Sequence, residues 1–239
     1  MSDGTAAVRA RAERLRADIR HFCAEAMPVA LRRKSERHQV LDKADYQQWM
    51  QLLQAQGWGV GHWPEVHGGA GWSTLERFAF EDELARHGCP WVIPFGVKYV
   101  GPVIYTYGSE AQKQRFLPRI VNGEDFWAQG YSEPGAGSDL AALRTEAVRD
   151  GDHYRVSGQK VWTTYAQWAD WLFCLVRTNG APRQPGTVGD PPGGCRPAWE
   201  RPGARPARDG RPQDGISFLL IDMRSPGITV KPIATMDGY

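Results

Sequence analysis

The sequence predicts an α+β protein: an all-α N-terminal half and a β-rich C-terminal half that meet near residue 125. Three observations carry this. Apolar residues of the first half recur at three- and four-residue steps, the period of a helix with one buried face. Beyond residue 125 they give way to short aromatic and β-branched runs broken by turn residues, as strands are. Helices come first and strands second, which fits two segregated layers rather than alternating βαβ units. A chain of 239 residues has room for two such domains. We place a helical domain at 1–124 and a β-domain at 125–239.

The elements follow in order. Val8, Ala12, Leu15, Ile19 and Phe22 lie on one face of a first helix, which Pro28 ends. A second helix runs from Asp42, a cap candidate, to Gly57, with Tyr46, Trp49, Met50 and Leu53 as its apolar stripe. Ser73-Thr74-Leu75-Glu76 has the capping-box pattern, in which the serine hydroxyl and the glutamate carboxylate satisfy each other's free N–H. The helix it opens stops near Gly88. Ser109 to Gln112 repeats the signal before Phe116, Leu117 and Ile120, with Gly123 as the stop. Phe126–Tyr131 is the first strand. Thr145–Arg149 and Tyr154–Ser157 flank Asp150-Gly151-Asp152 as a hairpin. Trp171–Arg177 and Ile216–Met223 read as buried strands, and Ile228–Ile233 alternates after a Ser-Pro-Gly turn.

Residues 179–214 stand apart. Glycine and proline supply 15 of these 36 residues, and arginine 6. Such a segment buries too little apolar surface to offset its chain entropy, so we expect a disordered, solvated excursion between two strands rather than an RNA-binding arm. The whole chain carries 29 Lys+Arg against 27 Asp+Glu, a net charge of +2, which gives no general reason to expect nucleic acid or an anionic membrane as partner. No apolar run is long enough to span a bilayer, and the N-terminus lacks the apolar core of a signal peptide. Cys23, Cys89, Cys174 and Cys195 are far apart in sequence and form no CxxC pair. We read them as reduced thiols of a cytoplasmic protein.

Two stretches could carry chemistry. In Gln129-Gly130-Tyr131-Ser132-Glu133-Pro134-Gly135-Ala136-Gly137-Ser138-Asp139, Gly135 and Gly137 permit unusual backbone angles and a close approach to the main chain, while Ser132 and Ser138 flank the turn with hydroxyls. It is not the dinucleotide fingerprint, and by spacing alone a structural turn explains it equally well. In Gly158-Gln159-Lys160-Val161-Trp162-Thr163-Thr164, Trp162 and Thr164 would share one face of a strand and present a flat surface and a hydroxyl to a heteroaromatic cofactor. A core tryptophan beside a satisfied threonine is the plainer alternative.

Taken together, the two stretches resemble the middle domain of the acyl-CoA dehydrogenase family. Its pattern of an acidic residue, Pro-Gly-Ala-Gly-Ser-Asp, a hairpin and Gly-x-Lys-x-Trp-x-Thr runs nearly intact from Glu133 to Thr164. Agreement extends over Gly57–Ser73, Tyr107–Gly123 and Gly215–Tyr239, so the resemblance spans nearly all of the chain except 179–214. The wording of Gln129–Thr145 and Asp170–Thr178 is nearest to the branch that includes the pimeloyl-CoA dehydrogenase large subunit.

The resemblance implies a helical domain followed by a β-barrel-like domain, with FAD and an acyl-CoA substrate against them. It implies α,β-dehydrogenation of a CoA thioester in fatty acid metabolism, with electrons passing to an electron-transfer flavoprotein or similar acceptor. Carried over by position, Gln129, Gly130, Tyr131, Ser132, Gly137 and Ser138 run along the flavin. The hydroxyl of Ser132 would face its pyrimidine end, and Ser138 would touch the acyl-CoA. Trp162 would lie beside the isoalloxazine, Thr163 next to it, and Thr164 near N5. Donors there stabilise the charge that arrives with the hydride.

The family's base is a glutamate in a helical domain that follows the β-domain. The chain reaches Tyr239 where that domain would begin, so no catalytic base is assigned within it. Glu133 is in the motif but is not the family's base, and Glu65, Glu76, Glu81 and Glu83 fit helix capping or solvation better. The family forms homo- or hetero-oligomers, and we expect this chain to need a partner that supplies the C-terminal domain. Without one, the β-domain would show apolar surface. Alternatives are a non-catalytic remnant or flavin/acyl-CoA-binding fragment and, within the same fold, an acyl-CoA oxidase or flavin monooxygenase.

Overall fold

In the computed structural model, which describes residues 3–178 and 213–234, the chain divides into two compact units. The first comprises Met1–Tyr105 with Arg115–Glu124. The second comprises Thr106–Gln114 with Asp125–Tyr239. The expected Gly/Pro/Arg-rich excursion falls at 179–212 outside the described residues.

The first unit is helical. Helix α1 (Asp3–Glu25) buries Ala12, Leu15, Ile19 and Phe22, the face expected from their spacing. Pro28 does more than end it. It sits at the N-cap of a short helix not foreseen from the sequence, α2 (Val29–Glu36), whose first turn tolerates a residue without an N–H. Helix α3 (Lys43–Ala55) starts behind an Asp42–Asp45 capping box and buries Tyr46, Trp49, Met50 and Leu53. Helix α4 (Thr74–Arg86) opens on the expected Ser73–Glu76 box, and Gly88 follows in the left-handed conformation. Helices α1 and α4 pack together around Leu15, Ile19, Phe22, Trp49, Leu53, Phe80 and Leu84. Phe22 is held between Trp49 at 5.9 Å and Trp58 at 5.3 Å, ring centre to ring centre.

A ladder of ion pairs seals the edge of α1 against α4. Arg11 reaches Glu76 at 2.9 Å, Arg16 reaches Asp82 at 2.6 Å and Glu83 at 3.1 Å, and Arg20 reaches Glu83 at 3.4 Å. Glu76 caps its helix, as expected. Glu83 does not conform: it neither caps nor faces solvent, but is buried between two arginines of α1.

Phe95–Val100 forms a π-helical turn that runs into α5 (Gly101–Tyr107), and α6 (Glu110–Val121) follows. The Ser109–Gln112 box is present in both directions at 2.8 and 3.2 Å. Trp63 is fully buried, and its indole N–H donates to the carbonyl of Val97 at 2.7 Å, tying the Gly-rich stretch 57–73 to the π-turn. A Cβ on Gly101 would stand 2.1 Å from Cζ2 of Trp63, so this position must be glycine for the ring to fit. Gly101→Ala is therefore expected to cost about 2–3 kcal/mol by overpacking, read as a lowered urea midpoint.

The second unit is a mixed five-stranded sheet, in which β4 pairs with three other strands. Strand β1 (Trp127–Gly130) runs parallel to β4 (Trp171–Arg177), with Trp127 opposite Trp171 and Gly130 opposite Cys174. Strand β5 (Ile216–Asp222) lies antiparallel on β4. Strands β2 (Glu146–Asp150) and β3 (His153–Ser157) form the expected hairpin, closed by Gly151 with φ +65°. A single parallel contact, Glu146 with Arg177, joins this hairpin to β4. Phe173 is fully buried and stacks on Phe218, while Ala147, Cys174 and Val176 form a small core with Leu172, Leu219 and Ile221.

The expected strand at Ile228–Ile233 is not formed. Among the described residues this segment has no strand partner, and Ile228, Val230 and Ile233 stand exposed. Alternation alone cannot make a strand where no neighbour accepts its backbone bonds. Val148 on β2 and Tyr154 and Val156 on β3 are also large and exposed. No helix among the described residues is long and apolar enough to cross a membrane.

Candidate functional site

The two sequence stretches singled out above meet at the end of β1. Past Gly130 the chain leaves the sheet and folds into a tight turn, in which Glu133 and Ala136 exchange backbone bonds at 2.8 and 3.1 Å. Beyond β3, the segment Gly158–Thr164 returns alongside. Val161 N–H donates to the carbonyl of Ser132 at 2.9 Å. The Lys160 ammonium donates to the carbonyl of Tyr131 at 3.1 Å and to Glu133 Oε1 at 2.8 Å.

Glu133 is the hub of this tie. Its other oxygen accepts from Arg144 N–H at 2.7 Å, and Oε1 also takes Thr145 N–H at 2.9 Å. Both side chains of the pair are over nine-tenths buried. Burial by itself would raise the carboxyl pKa, but the bonds from Lys160, Thr145 and Arg144 outweigh it and hold Glu133 down to about 2. A carboxylate so engaged is a weak base near neutral pH.

Gln129 and Gly130 end β1, and Tyr131 and Ser132 continue from it into the turn. Burial pushes the Tyr131 phenol up, against a bond from Gln129, and its ring packs edge-on against Phe173. Gly130 faces Leu172 so closely that a Cβ would lie 3.0 Å from Cδ2. Ser132 is half-buried and Ser138 exposed. Gly135 and Gly137 depart from expectation, because neither adopts a left-handed backbone and an added Cβ at either would meet open space. Their contribution is a bare, accessible main chain beside the serines.

The geometry of Trp162 and Thr164 is corrected more sharply. They do not share a strand face. Trp162 has φ +58° and Tyr165 φ +62°, and Thr164 N–H donates to the carbonyl of Trp162 at 3.1 Å. The stretch is a tight turn, fixed by the bonds of Lys160 and Val161 to the neighbouring loop rather than by pairing in the sheet. Nor is Trp162 a core residue, since 68% of it is exposed. Next to it, the Thr163 hydroxyl is buried and has no partner among the described residues. Sequence reasoning missed Lys160 as the residue that holds the two loops together; its only signal was its place within the Gly-x-Lys-x-Trp pattern.

These features bear on FAD, the cofactor the motifs imply. A large planar side chain left in solvent, a buried unpaired hydroxyl, a bare glycine loop, the half-buried Ser132 and the exposed Ser138 are what a flat heteroaromatic group with ring nitrogens and carbonyls would cover and satisfy. The residues present fit the group.

The chain thus consists of a helical unit and a mixed sheet with two tied loops at its end. Residues 9–124 match the acyl-CoA dehydrogenase N-terminal domain and residues 128–189 the acyl-CoA dehydrogenase middle domain. The chain belongs to the acyl-CoA dehydrogenase family. It is 40% identical over 191 residues to acyl-CoA dehydrogenase IpdE1 of Mycobacterium tuberculosis, covering 80% of this chain and 42% of that protein. With acyl-CoA dehydrogenase FadE26 of the same organism it shares 37% identity, covering 95% of this chain and 50% of the relative. Among solved structures, the ChsE4–ChsE5 complex of Mycobacterium tuberculosis is similar, with a TM-score of 0.74 and 35% identity over 95% of this chain and 50% of that one. The Tcur3481–Tcur3483 steroid acyl-CoA dehydrogenase gives 0.72 and 32%, over 96% of this chain and 52% of that one. The chain thus spans about half the length of the relatives it matches.

Proposed function

We propose that this chain supplies the helical and flavin-facing parts of an FAD-dependent acyl-CoA dehydrogenase, with 1–124 and 125–239 as its two domains. One observation carries the reading: the Gln129–Ser138 and Lys160–Thr164 loops are locked together, leaving the Trp162 ring exposed and the Thr163 hydroxyl unpaired. When bound, FAD supplies a hydride acceptor for the substrate β-carbon. The protein's own part is positional. Trp162 offers the flat wall, Thr163 and Thr164 offer hydroxyls beside it, Ser132 binds the pyrimidine end, and Ser138 meets the acyl-CoA. Gln129, Gly130, Tyr131 and Gly137 shape the lining. The Glu133–Lys160 pair keeps the two loops in register, so that little ordering remains for the moment of binding.

The α-proton needs a base, and the motif carboxylate Glu133 is occupied. We place the base outside the described residues, on the C-terminal domain that the family resemblance implies, held by the same protein or by a partner. Two of the similar structures are complexes of two differently named chains, which supports a hetero-oligomer, as does the exposed apolar set on β2, β3 and 228–233. An electron-transfer flavoprotein or similar carrier would take the electrons. The substrate is a CoA thioester, and the steroid designation of one neighbour favours a bulky acyl group over a linear fatty one.

The test is a visible absorption spectrum of the chain after addition of FAD and desalting. The expected result is a retained flavin band that Trp162→Ala and Thr164→Ala each weaken without unfolding. Losing one hydrogen bond to a site of developing charge is worth about 1.5–3 kcal/mol, or roughly 10- to 150-fold in flavin affinity. If wild type and both variants, all folded, hold flavin equally well, the assignment of these residues is wrong. The engaged Glu133 also favours a second reading, in which the chain binds flavin and acyl-CoA without turnover of its own. Turnover by the isolated chain with an artificial electron acceptor would exclude that reading.

A further inference from the structure

Helix α1 and the segment after α4 bring two cysteines together that lie 66 positions apart in the sequence. The sulfur atoms of Cys23 and Cys89 are 3.2 Å apart. Cys23 sits in the last turns of α1, buried among Phe22, Met27, Leu31 and Leu84. Cys89 follows the left-handed Gly88 and is half-buried. It also lines a cavity of about 260 Å³, together with Trp58, Trp72, Phe80 and Val92. One member of the pair is thus closed off, and the other opens on space that a small molecule can enter.

We propose that Cys23 and Cys89 are a reversible dithiol–disulfide modification site, oxidised by low-molecular-weight disulfides that arrive at Cys89. The sulfurs need to approach by only about 1 Å to reach bonding distance. In the first step the Cys89 thiol gives its proton to water, and the thiolate attacks the small disulfide RSSR. A protein–SR mixed disulfide forms and one RS⁻ leaves. In the second step the Cys23 thiolate attacks the Cys89 sulfur and expels the second RS⁻. The protein thiols lose two electrons and two protons in all, and RSSR becomes two RSH.

The neighbourhood suits this order. A hydrogen bond from Cys89 lowers the Cys23 pKa, with help from the Arg32 guanidinium and against burial and Glu83. Arg32 is held there by its bond to the Cys23 carbonyl at 2.5 Å. Once Cys89 carries the mixed disulfide it has no proton to donate, and the Arg32 guanidinium is then the group that favours the Cys23 thiolate for the resolving step. Its bond to Cys23, together with burial, raises the Cys89 thiol, so the first step is the slow one. Cys174, by contrast, is a buried thiol with no second thiol beside it among the described residues.

The full chain would be incubated folded with oxidised glutathione, quenched with an alkylating agent and mapped by mass spectrometry. The expected product is a peptide pair joined through Cys23 and Cys89, lost on treatment with dithiothreitol. In Cys89→Ser, Cys23 should stay unmodified because nothing reaches it directly. In Cys23→Ala, the glutathione adduct should accumulate on Cys89 unresolved. Absence of the Cys23–Cys89 link in the folded wild type would overturn the proposal. So would oxidation of Cys23 in Cys89→Ser at the wild-type rate, which would show that Cys89 is not the point of attack.

Discussion

Glu133→Gln is expected to destabilise the second unit by about 3–5 kcal/mol, the usual cost of removing one member of a buried ion pair. The reason lies in what remains. The Lys160 ammonium would stay more than nine-tenths buried with the Tyr131 carbonyl but no counter-charge. The new amide would also turn an N–H₂ group toward at least one of the N–H donors of Arg144 and Thr145. Lys160→Met should cost a similar amount by leaving the carboxylate uncompensated. The double variant should cost less than the sum of the two, because it leaves no orphaned charge. Hydrogen exchange at the Val161 amide reads the effect where it matters, since that N–H bonds the Ser132 carbonyl and reports whether the loops remain tied. Protection at Val161 should fall by roughly two to four orders of magnitude in either single variant. Protection at wild-type level in both single variants would mean that the loops are held by something other than this pair. Flavin retention should fall with it, because the loops that would line the ring lose their register.

What could be read from the sequence was local, and what could not was not. The capping boxes at Ser73 and Ser109 and the cap at Asp42 lie within four residues of the N–H groups they satisfy, so their helices began where expected. Strand β4 matched its apolar run end to end because β5 pairs with it from Trp171 to Arg177 and β1 from Trp171 to Cys174. The π-turn at Phe95–Val100 and α5 gave no such signal. Their position depends on Trp63 and Gly101, which a sequence shows only as a tryptophan and a glycine 38 positions apart. The candidate site divides the same way. Motif order located the two loops. The left-handed turn at Trp162 was not visible, because it is imposed by bonds from Lys160 and Val161 to residues about 30 positions earlier. The Cys23–Cys89 proximity is invisible for the same reason. Ile228–Ile233 failed in the other direction: a good local pattern without a described partner strand.

The second large effect expected is acid destabilisation between about pH 5 and pH 2, and it arises in both units. Two glutamates carry it. Glu76 is held at about 2, first by the hydrogen bond from Arg11, then against burial by bonds from Ser73. Glu133 is held at about 2 by Lys160 and the Arg144–Thr145 segment against its burial. Both carboxyls are depressed below their ordinary value in the folded state. Each therefore contributes its full stability above the unfolded pKa, near 4.5, and loses it as pH falls through about 2. A shift of that size corresponds to at most about 3 kcal/mol per group. The Glu133 pair is buried on both sides and retains nearly all of it. The Glu76 pair retains less, about 2 kcal/mol, because Arg11 is half exposed and water screens it. The expected loss is thus about 5 kcal/mol over the window, with Glu133 the larger part. Urea denaturation at a series of pH values gives the slope, and the variants assign it. Glu76→Gln should flatten the pH dependence of the helical unit alone, and Glu133→Gln that of the sheet alone. Should both variants keep the wild-type slope, the acid sensitivity would belong to other groups, and these two carboxylates would not be depressed as their surroundings require. The assignment also bears on function, because the group that fails in the sheet on acidification is the one that ties the flavin-facing loops. Flavin release and unfolding of the second unit should therefore share one pH midpoint, while the helical unit loses stability on its own curve.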